Sequence, residues 1–232
     1  PCSARIAVIA TVVPLFFTGS AAVGVTLVLI GTSLLAVLIV ARLLKSFALP
    51  GAVGSLVMEL PDYRLPLPSN VAYTTIYKTY KSMVKALTIF IPFSLLIWFL
   101  FNFPVGANAP YASRISCLLD PVGALIGMTG EDFLPFIFSF PAKELTILYL
   151  NFAYGHGLIE GVGFLTNIWS PLKAFSWLTF MVLYTPCLAT IAVLHEELKS
   201  WKWTGLVVVQ ELITAFVFSG IIYWGGSLLG FG

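Results

Sequence analysis

The sequence predicts an all-α polytopic membrane protein whose helices are broken by prolines and arranged as two repeats of inverted topology. Three observations carry this. The 232 residues are 59% hydrophobic and 9% charged, against about 25% charged in soluble domains. Mean hydropathy is +0.99, so lipid is the solvent for most of the chain. Finally, a Pro-Cys dipeptide leading into almost the same apolar stretch occurs twice, at residue 1 and at residue 186.

Composition also excludes. Net charge is only +2 and no basic stripe is interleaved with aromatics, so nucleic acid is not a partner. Cys2, Cys117 and Cys187 are too few and too scattered for a disulfide framework. No nucleotide-binding loop and no nucleophile motif occurs, so this chain is not expected to be an enzyme. Its opening directly on Pro-Cys suggests a segment of something longer.

Taken in order, residues 4–17 are apolar but short, and FFTGS makes a tight connection. Residues 21–44 are the clearest membrane span, since about 20 apolar residues cross a bilayer. Residues 45–70 hold four prolines and read as non-helical. Lys78, Lys81 and Lys85, with Tyr73, Tyr77 and Tyr80, mark an amphipathic interfacial helix at 71–85 that runs into a span at 86–103. Six Lys or Arg and two acids between Arg42 and Lys85 put that segment on the cytoplasmic side. A short helix is expected at 113–126, and the acids Asp120, Glu131 and Asp132 suit the outer side. Residues 133–152 are apolar around Lys143 and Glu144, with Pro141 just before them. Residues 153–170 read as a Gly-rich linker. Half a span at 171–183 is interrupted at Thr185-Pro186 and resumes at 187–194. HEELKSWKW (195–203) reads as a polar turn, and 204–224 as the last span, with Gln210 and Glu211 inside it.

The repeat extends beyond the dipeptide. PCSARIAVI (1–9) and PCLATIAVL (186–194) agree at six of nine positions. Farther on, FFTGSAAVGVTL and WKWTGLVVVQEL share a Thr-Gly before a long apolar helix. Each copy reads as broken helix, short turn, spanning helix. Internal symmetry with interrupted helices in matching places points to a transporter site near the membrane midplane. The uncharged turn at 17–20 and the lysine-bearing turn at 195–203 suggest opposite sides, hence inversion. Helix counting gives that parity only if one segment is re-entrant, either 113–126 or 133–152.

The breaks are expected at Pro1, Pro186 and Pro141. A proline inside a helix costs about 3 kcal/mol, and it frees carbonyls in the preceding turn and amides in the next. Cys2 and Cys187 sit at equivalent repeat positions, each directly after such a proline. A lone membrane cysteine is more often apolar filler, and Cys117 is read so. A pair at a pseudo-twofold position, with carbonyls nearby, suits a first-row divalent ion in transit. Glu144 lies in an apolar stretch, where an acid costs about 2.5–3.5 kcal/mol and is functional by default. It cannot face its neighbour Lys143, so it is expected to point inward, to a cation path or to a base such as Arg5. Glu211 and Gln210 have the same argument, with a hydrogen bond to a neighbouring helix as the rival reading. His156 and His195 are placed in turns and have no second ligand at metal-site spacing.

MELPDYRLP (58–66), the Pro-Cys-Ser-Ala-Arg opening, PAKELTILYL (141–150) and VLYTPCLATIAVLHEELKSWKWTG (182–205) resemble the membrane domain of the prokaryotic ferrous iron transporter B family, FeoB. The resemblance runs over nearly the whole chain. It implies two gate repeats and Fe2+ import across the cytoplasmic (inner) membrane of a prokaryote, driven or gated by GTP. It also implies an N-terminal GTPase domain holding GTP and Mg2+, and first membrane helices, both outside this chain. The lipid bilayer, small cytoplasmic Feo-type proteins and further copies of the chain are the implied partners. On it, Cys2 and Cys187 line the iron path and Glu144 is the acid of an Ala-Lys-Glu motif. Glu59, Tyr63 and Arg64 belong to a cytoplasmic coupling motif, in which Asp62 stands where proline is common. The expected division is 1–48 as the end of the first gate repeat, 49–70 as the cytoplasmic linker, 71–169 as central helices with re-entrant or short segments, and 170–232 as the second gate repeat. The alternative is a gate-repeat transporter of another small solute such as a nucleoside, for which paired thiols have no use.

Overall fold

A computed structural model describes residues 2–47, 67–102, 111–155, 161–184 and 187–230. Every regular element among them is helical. The helices are α1 (Ser3–Phe16), α2 (Ser20–Phe47), α3 (Pro68–Asn102), α4 (Tyr111–Ala124), α5 (Gly130–Phe138), α6 (Thr146–Ala153), α7 (Leu165–Ile168), α8 (Pro171–Leu183), α9 (Leu188–Leu198) and α10 (Trp201–Leu228). Single 3-10 turns at Lys143–Leu145 and Val162–Phe164 lead into α6 and α7.

Three stretches are long and apolar enough to cross a bilayer: Ser20–Leu43, Pro171–Leu198 taken across the α8–α9 break, and Trp201–Leu228. The chain is therefore a multi-pass helical membrane protein. Its outer surface agrees: Leu27, Val37, Ile213 and Ile221 on α2 and α10 are more than half exposed, the pattern expected of side chains that face lipid.

The stretch read as a linker at 153–170 instead carries the 3-10 turn at Val162–Phe164 and α7, with Leu165 and Trp169 buried; the rest of the predicted order holds, with three further differences. The span expected at 86–103 is the second half of one continuous 35-residue helix, α3, and its apolar core, Ile91–Leu100, is short. The polar turn expected at 195–203 shrinks to Lys199 and Ser200, because α9 runs on through HEEL to Leu198. Lys199 takes the left-handed conformation that ends the helix, at φ 52°. Third, the two Thr-Gly pairs are not equivalent. Thr18-Gly19 is the turn before α2, whereas Thr204-Gly205 lies inside the first turns of α10.

Neither candidate for a re-entrant segment crosses a bilayer alone. Fourteen residues in α4, nine in α5 and eight in α6 give about 21, 14 and 12 Å, against a hydrocarbon core of about 30 Å. α4 and α5 pack side by side so closely that a Cβ on Gly130 would lie 1.8 Å from the Ser116 carbonyl. α5 and α6 are two short helices joined through the break at Ser139–Ala142.

α8 is the central post, with ten of its thirteen residues buried. It packs on α10, α1 and α2. Against α10 the contact is made by small polar residues: Ser176 and Ser219 hydroxyls lie 2.8 Å apart, and Ser219 Oγ donates to the Ser176 carbonyl at 2.8 Å. Small hydroxyl residues let membrane helices approach closely and bond across the gap. Against α5 the contact is aromatic, with Phe136 5.0 Å from Trp177 and 4.8 Å from Phe180.

Asp132 fixes the start of α5. Its carboxylate is fully buried and accepts from Thr129 N and Oγ1 at 2.8 Å each, from Trp169 Nε1 at 2.8 Å and from the Tyr154 hydroxyl. It also pairs with Lys173 at 2.7 Å. One acid thus ties α5 to α8 and to the turns after α6 and α7. The acid cluster read only as a mark of the outer side is, at Asp132, a packing hub.

Candidate ion site at the helix breaks

Two helix breaks meet in the interior. The first separates α5 from α6 at Ser139–Ala142, and the second separates α8 from α9 between Leu183 and Leu188. They are joined directly, the amide of Leu188 donating to the carbonyl of Phe140 at 3.0 Å. Pro141 is half-buried in the first break. Pro1 and Pro186 lie outside the described residues, but the helices on either side of Pro186 stop and restart where the sequence predicts.

Cys2 and Cys187 have similar backbone geometry. Cys2 and Cys187 are the N-caps of α1 and α9, both extended, at φ −79°, ψ 169° and φ −97°, ψ 138°. Each carbonyl accepts from the amide four residues on, Ile6 and Ile191, at 3.1 Å. This is the repeat made structural: a thiol at the amide end of a half-helix, twice. Cys2 is exposed and Cys187 partly buried.

α8 ends at Tyr184, whose amide donates to Phe180 O at 2.7 Å. Its own carbonyl is one of the last carbonyls of the helix, groups with no partner inside it that sit at the negative end of the macrodipole. Two cations satisfy this carbonyl. Arg5 Nη2 donates to it at 3.1 Å, and Lys143 Nζ donates to it as well. Lys143 is 4% exposed and lies 5.4 Å from the centre of the Tyr184 ring. The Tyr184 hydroxyl donates to Phe136 O at 3.2 Å, so the residue bridges both breaks. Cys2, Cys187 and Glu211 all lie within electrostatic range of both Arg5 and Lys143.

Beside this cluster a cavity of about 490 Å³ opens between α2, α8 and α10. Ser33, Gln210, Glu211, Thr214 and Arg5 give it a polar side within otherwise apolar walls. Gln210 Nε2 donates to Thr214 Oγ1 at 3.0 Å along the same helix. The cavity lies between the spanning helices of the two repeats.

Of the predicted residues, Glu211 and Gln210 line the cavity with Arg5, Cys2 and Cys187 lie within electrostatic range of Arg5 and Lys143, and Glu144 is exposed. The orientation expected for Glu144 is corrected: Glu144 is exposed and its neighbour Lys143 is the buried one. The Lys143–Leu145 turn has only about three residues per turn, so consecutive side chains point far apart. The acid near Arg5 is Glu211. His195 is also corrected, since it lies in the last turn of α9, stacked at 4.0 Å on Trp201. His156 and the coupling residues Glu59, Tyr63 and Arg64 fall outside the described residues. Sequence reasoning missed Lys143 and the Tyr184 carbonyl. The signal was present in PAKEL: a lysine in an apolar stretch is as costly as the acid beside it.

Chemically, the cluster offers two thiols, one carboxylate and a helix-end carbonyl. It also holds two positive charges. Among the described residues no group of three or more His, Cys, Asp or Glu is gathered to hold a metal ion. At an effective dielectric constant near 20, a divalent ion about 4 Å from an ammonium is repelled by roughly 8 kcal/mol. A divalent cation beside the ammonium therefore has to displace a positive side chain.

The chain is thus a multi-pass helical membrane bundle with interrupted helices, two of which begin at cysteines. Comparison with known proteins gives the family. The family described as Gate, nucleoside recognition, matches residues 83–201, and the ferrous iron transport protein B C terminus matches 26–78. The Fe(2+) transporter FeoB of Staphylococcus aureus strain MSSA476 is 31% identical over 98% of this chain and 35% of its own length. The Fe(2+) transporter FeoB of Synechocystis is 33% identical over 99% of this chain and 38% of its own. That of Methanocaldococcus jannaschii is 28% identical over 98% and 36%. No solved structure matches. The chain belongs to the FeoB family, as a C-terminal membrane part, and spans about a third of the length of these relatives.

Proposed function

We propose that this chain forms part of the pathway by which Fe2+ crosses the membrane in a GTP-dependent importer. The observation that carries the reading is the meeting of the α5–α6 and α8–α9 breaks beside Cys2, Cys187 and Glu211. Thiols and carbonyls at broken half-helices suit a borderline first-row ion. The names of the relatives supply iron as that ion.

In this reading Cys2 and Cys187 line the path from the two repeats, 1–48 and 170–232. Glu211 and Gln210 line the cavity leading to it. Glu144, exposed on this chain, contributes only from a face that another part of the transporter covers. Residues 49–70, with Glu59, Tyr63 and Arg64, couple the membrane part to an N-terminal GTPase domain where GTP and Mg2+ bind. Small cytoplasmic Feo-type proteins and a second copy of the transporter are its partners, and its place is the inner membrane of a prokaryote. The chain itself carries out no covalent chemistry.

The description of the matched Gate family favours one rival, a nucleoside path. Full-length transporter in proteoliposomes separates them. Anaerobic Fe2+ influx that uridine does not compete with supports the iron reading. Uridine influx without Fe2+ influx overturns it.

A further inference from the structure

We propose that the Tyr184 carbonyl is a cation-binding position of the path, occupied here by the protein's own Lys143 ammonium, which a permeant divalent ion must displace. The proposal rests on the iron-path reading above and adds the group that closes the path.

Four observations carry it. The Tyr184 carbonyl lies at the C-terminal end of a helix stopped by a break, where unpartnered carbonyls and the helix dipole favour a positive charge. Two cations from different elements converge on that one oxygen: Lys143 from the 3-10 turn before α6, and Arg5 from α1. Both side chains that hold the oxygen lie within electrostatic range of the two thiols and Glu211. And Lys143 is carried by a three-residue turn inside a break, not by a long helix. Its carbonyl accepts from Thr146 Oγ1 at 2.7 Å, which anchors the turn's backbone and leaves the four-carbon stem to swing.

The two cations are not equivalent. Both are carried by packed elements, since α1 packs on α8 and on the turn that carries Lys143; the difference is in the side chains. Lysine is a compact point charge on a flexible stem, so it can leave while Arg5 stays. With Lys143 in place, the break repels cations. With it withdrawn, one lone pair of the carbonyl is open to an ion in passage while Arg5 keeps its own bond to the oxygen.

The rival is that Lys143 only clamps the two breaks together. The two differ in sign. An ammonium bound about 90% of the time leaves about 10% of carbonyls open, so removing it raises resting influx up to about tenfold. Removing a clamp lowers influx.

The test uses the full-length transporter in proteoliposomes under anaerobic conditions, without nucleotide. Fe2+ influx is compared for wild type, Lys143→Met, Lys143→Arg and Cys187→Ser. Lys143→Met is expected to raise resting influx several-fold, and Lys143→Arg to keep it low. Methylammonium is expected to restore the block in Lys143→Ala. Influx in Lys143→Met at or below wild type, with equal protein incorporated, overturns the proposal. If Lys143→Met does not fold, Lys143→Ala purified with methylammonium is tested by washing the amine out. A rise on washout supports the proposal, and no change overturns it. Wild-type influx in Cys187→Ser removes the path reading itself, whatever Lys143 does.

Discussion

The Leu188 amide donates to the Phe140 carbonyl across 3.0 Å, so two helix breaks 48 positions apart in the sequence share one hydrogen bond. The start of α9 cannot shift without pulling on the turn that carries Lys143. The Tyr184 hydroxyl makes the second tie, to Phe136 O at 3.2 Å. One main-chain and one side-chain hydrogen bond thus link the segments around the two breaks.

Tyr184→Phe removes the second tie and leaves the Tyr184 carbonyl where it is. A net hydrogen bond contributes about 1 kcal/mol, and Phe136 O keeps the Ser139 hydroxyl at 3.4 Å. The variant should unfold at slightly lower temperature in detergent and still carry out uptake. Loss of uptake without loss of stability would mean that the hydroxyl itself takes part in conduction.

Asp132→Asn should be the most damaging single change in the packed core. The carboxylate is fully buried and paired with Lys173 at 2.7 Å. Breaking a buried pair from one side costs about 3–5 kcal/mol. Thermal unfolding followed by tryptophan fluorescence checks this directly, because Trp169 donates to the same carboxylate. Lys173→Met combined with Asp132→Asn should recover part of the loss.

Gly130→Ala should lower the yield of folded protein, since its Cβ would meet the Ser116 carbonyl at 1.8 Å. The backbone of α4 cannot yield as a side chain would. Gly24→Ala in α2 is the control, with nothing within 4 Å of its Cβ. Equal yields for the two would show that α4 and α5 are not held as closely as described.

Much of this was legible in the residues. α1, α2, α8, α9 and α10 follow from apolar run length and proline, and the break at Pro186 was expected from the residue alone. What sequence reasoning could not supply was direction. Adjacent Lys143 and Glu144 were distinguishable only once the packing of their turn was known, since the sequence shows that neighbours point apart but not which of them faces inward. Asp132 looked like one of several surface acids because its partners, Tyr154, Trp169 and Lys173, come from 22 to 41 positions away. The Tyr184 carbonyl is a main-chain atom, and no residue type announces it.

Labelling of the three thiols by a maleimide, read by mass spectrometry on the full-length transporter, tests the central claim most directly. Cys2 and Cys187 cap the two repeated half-helices, while Cys117 is exposed on α4. Fe2+ added anaerobically should slow labelling of Cys2 and Cys187 and leave Cys117 unchanged. Mg2+, which prefers oxygen ligands and keeps its water, should protect none of them. Labelling of Cys2 and Cys187 unaffected by Fe2+, in protein that takes up Fe2+, would contradict a path through the helix breaks.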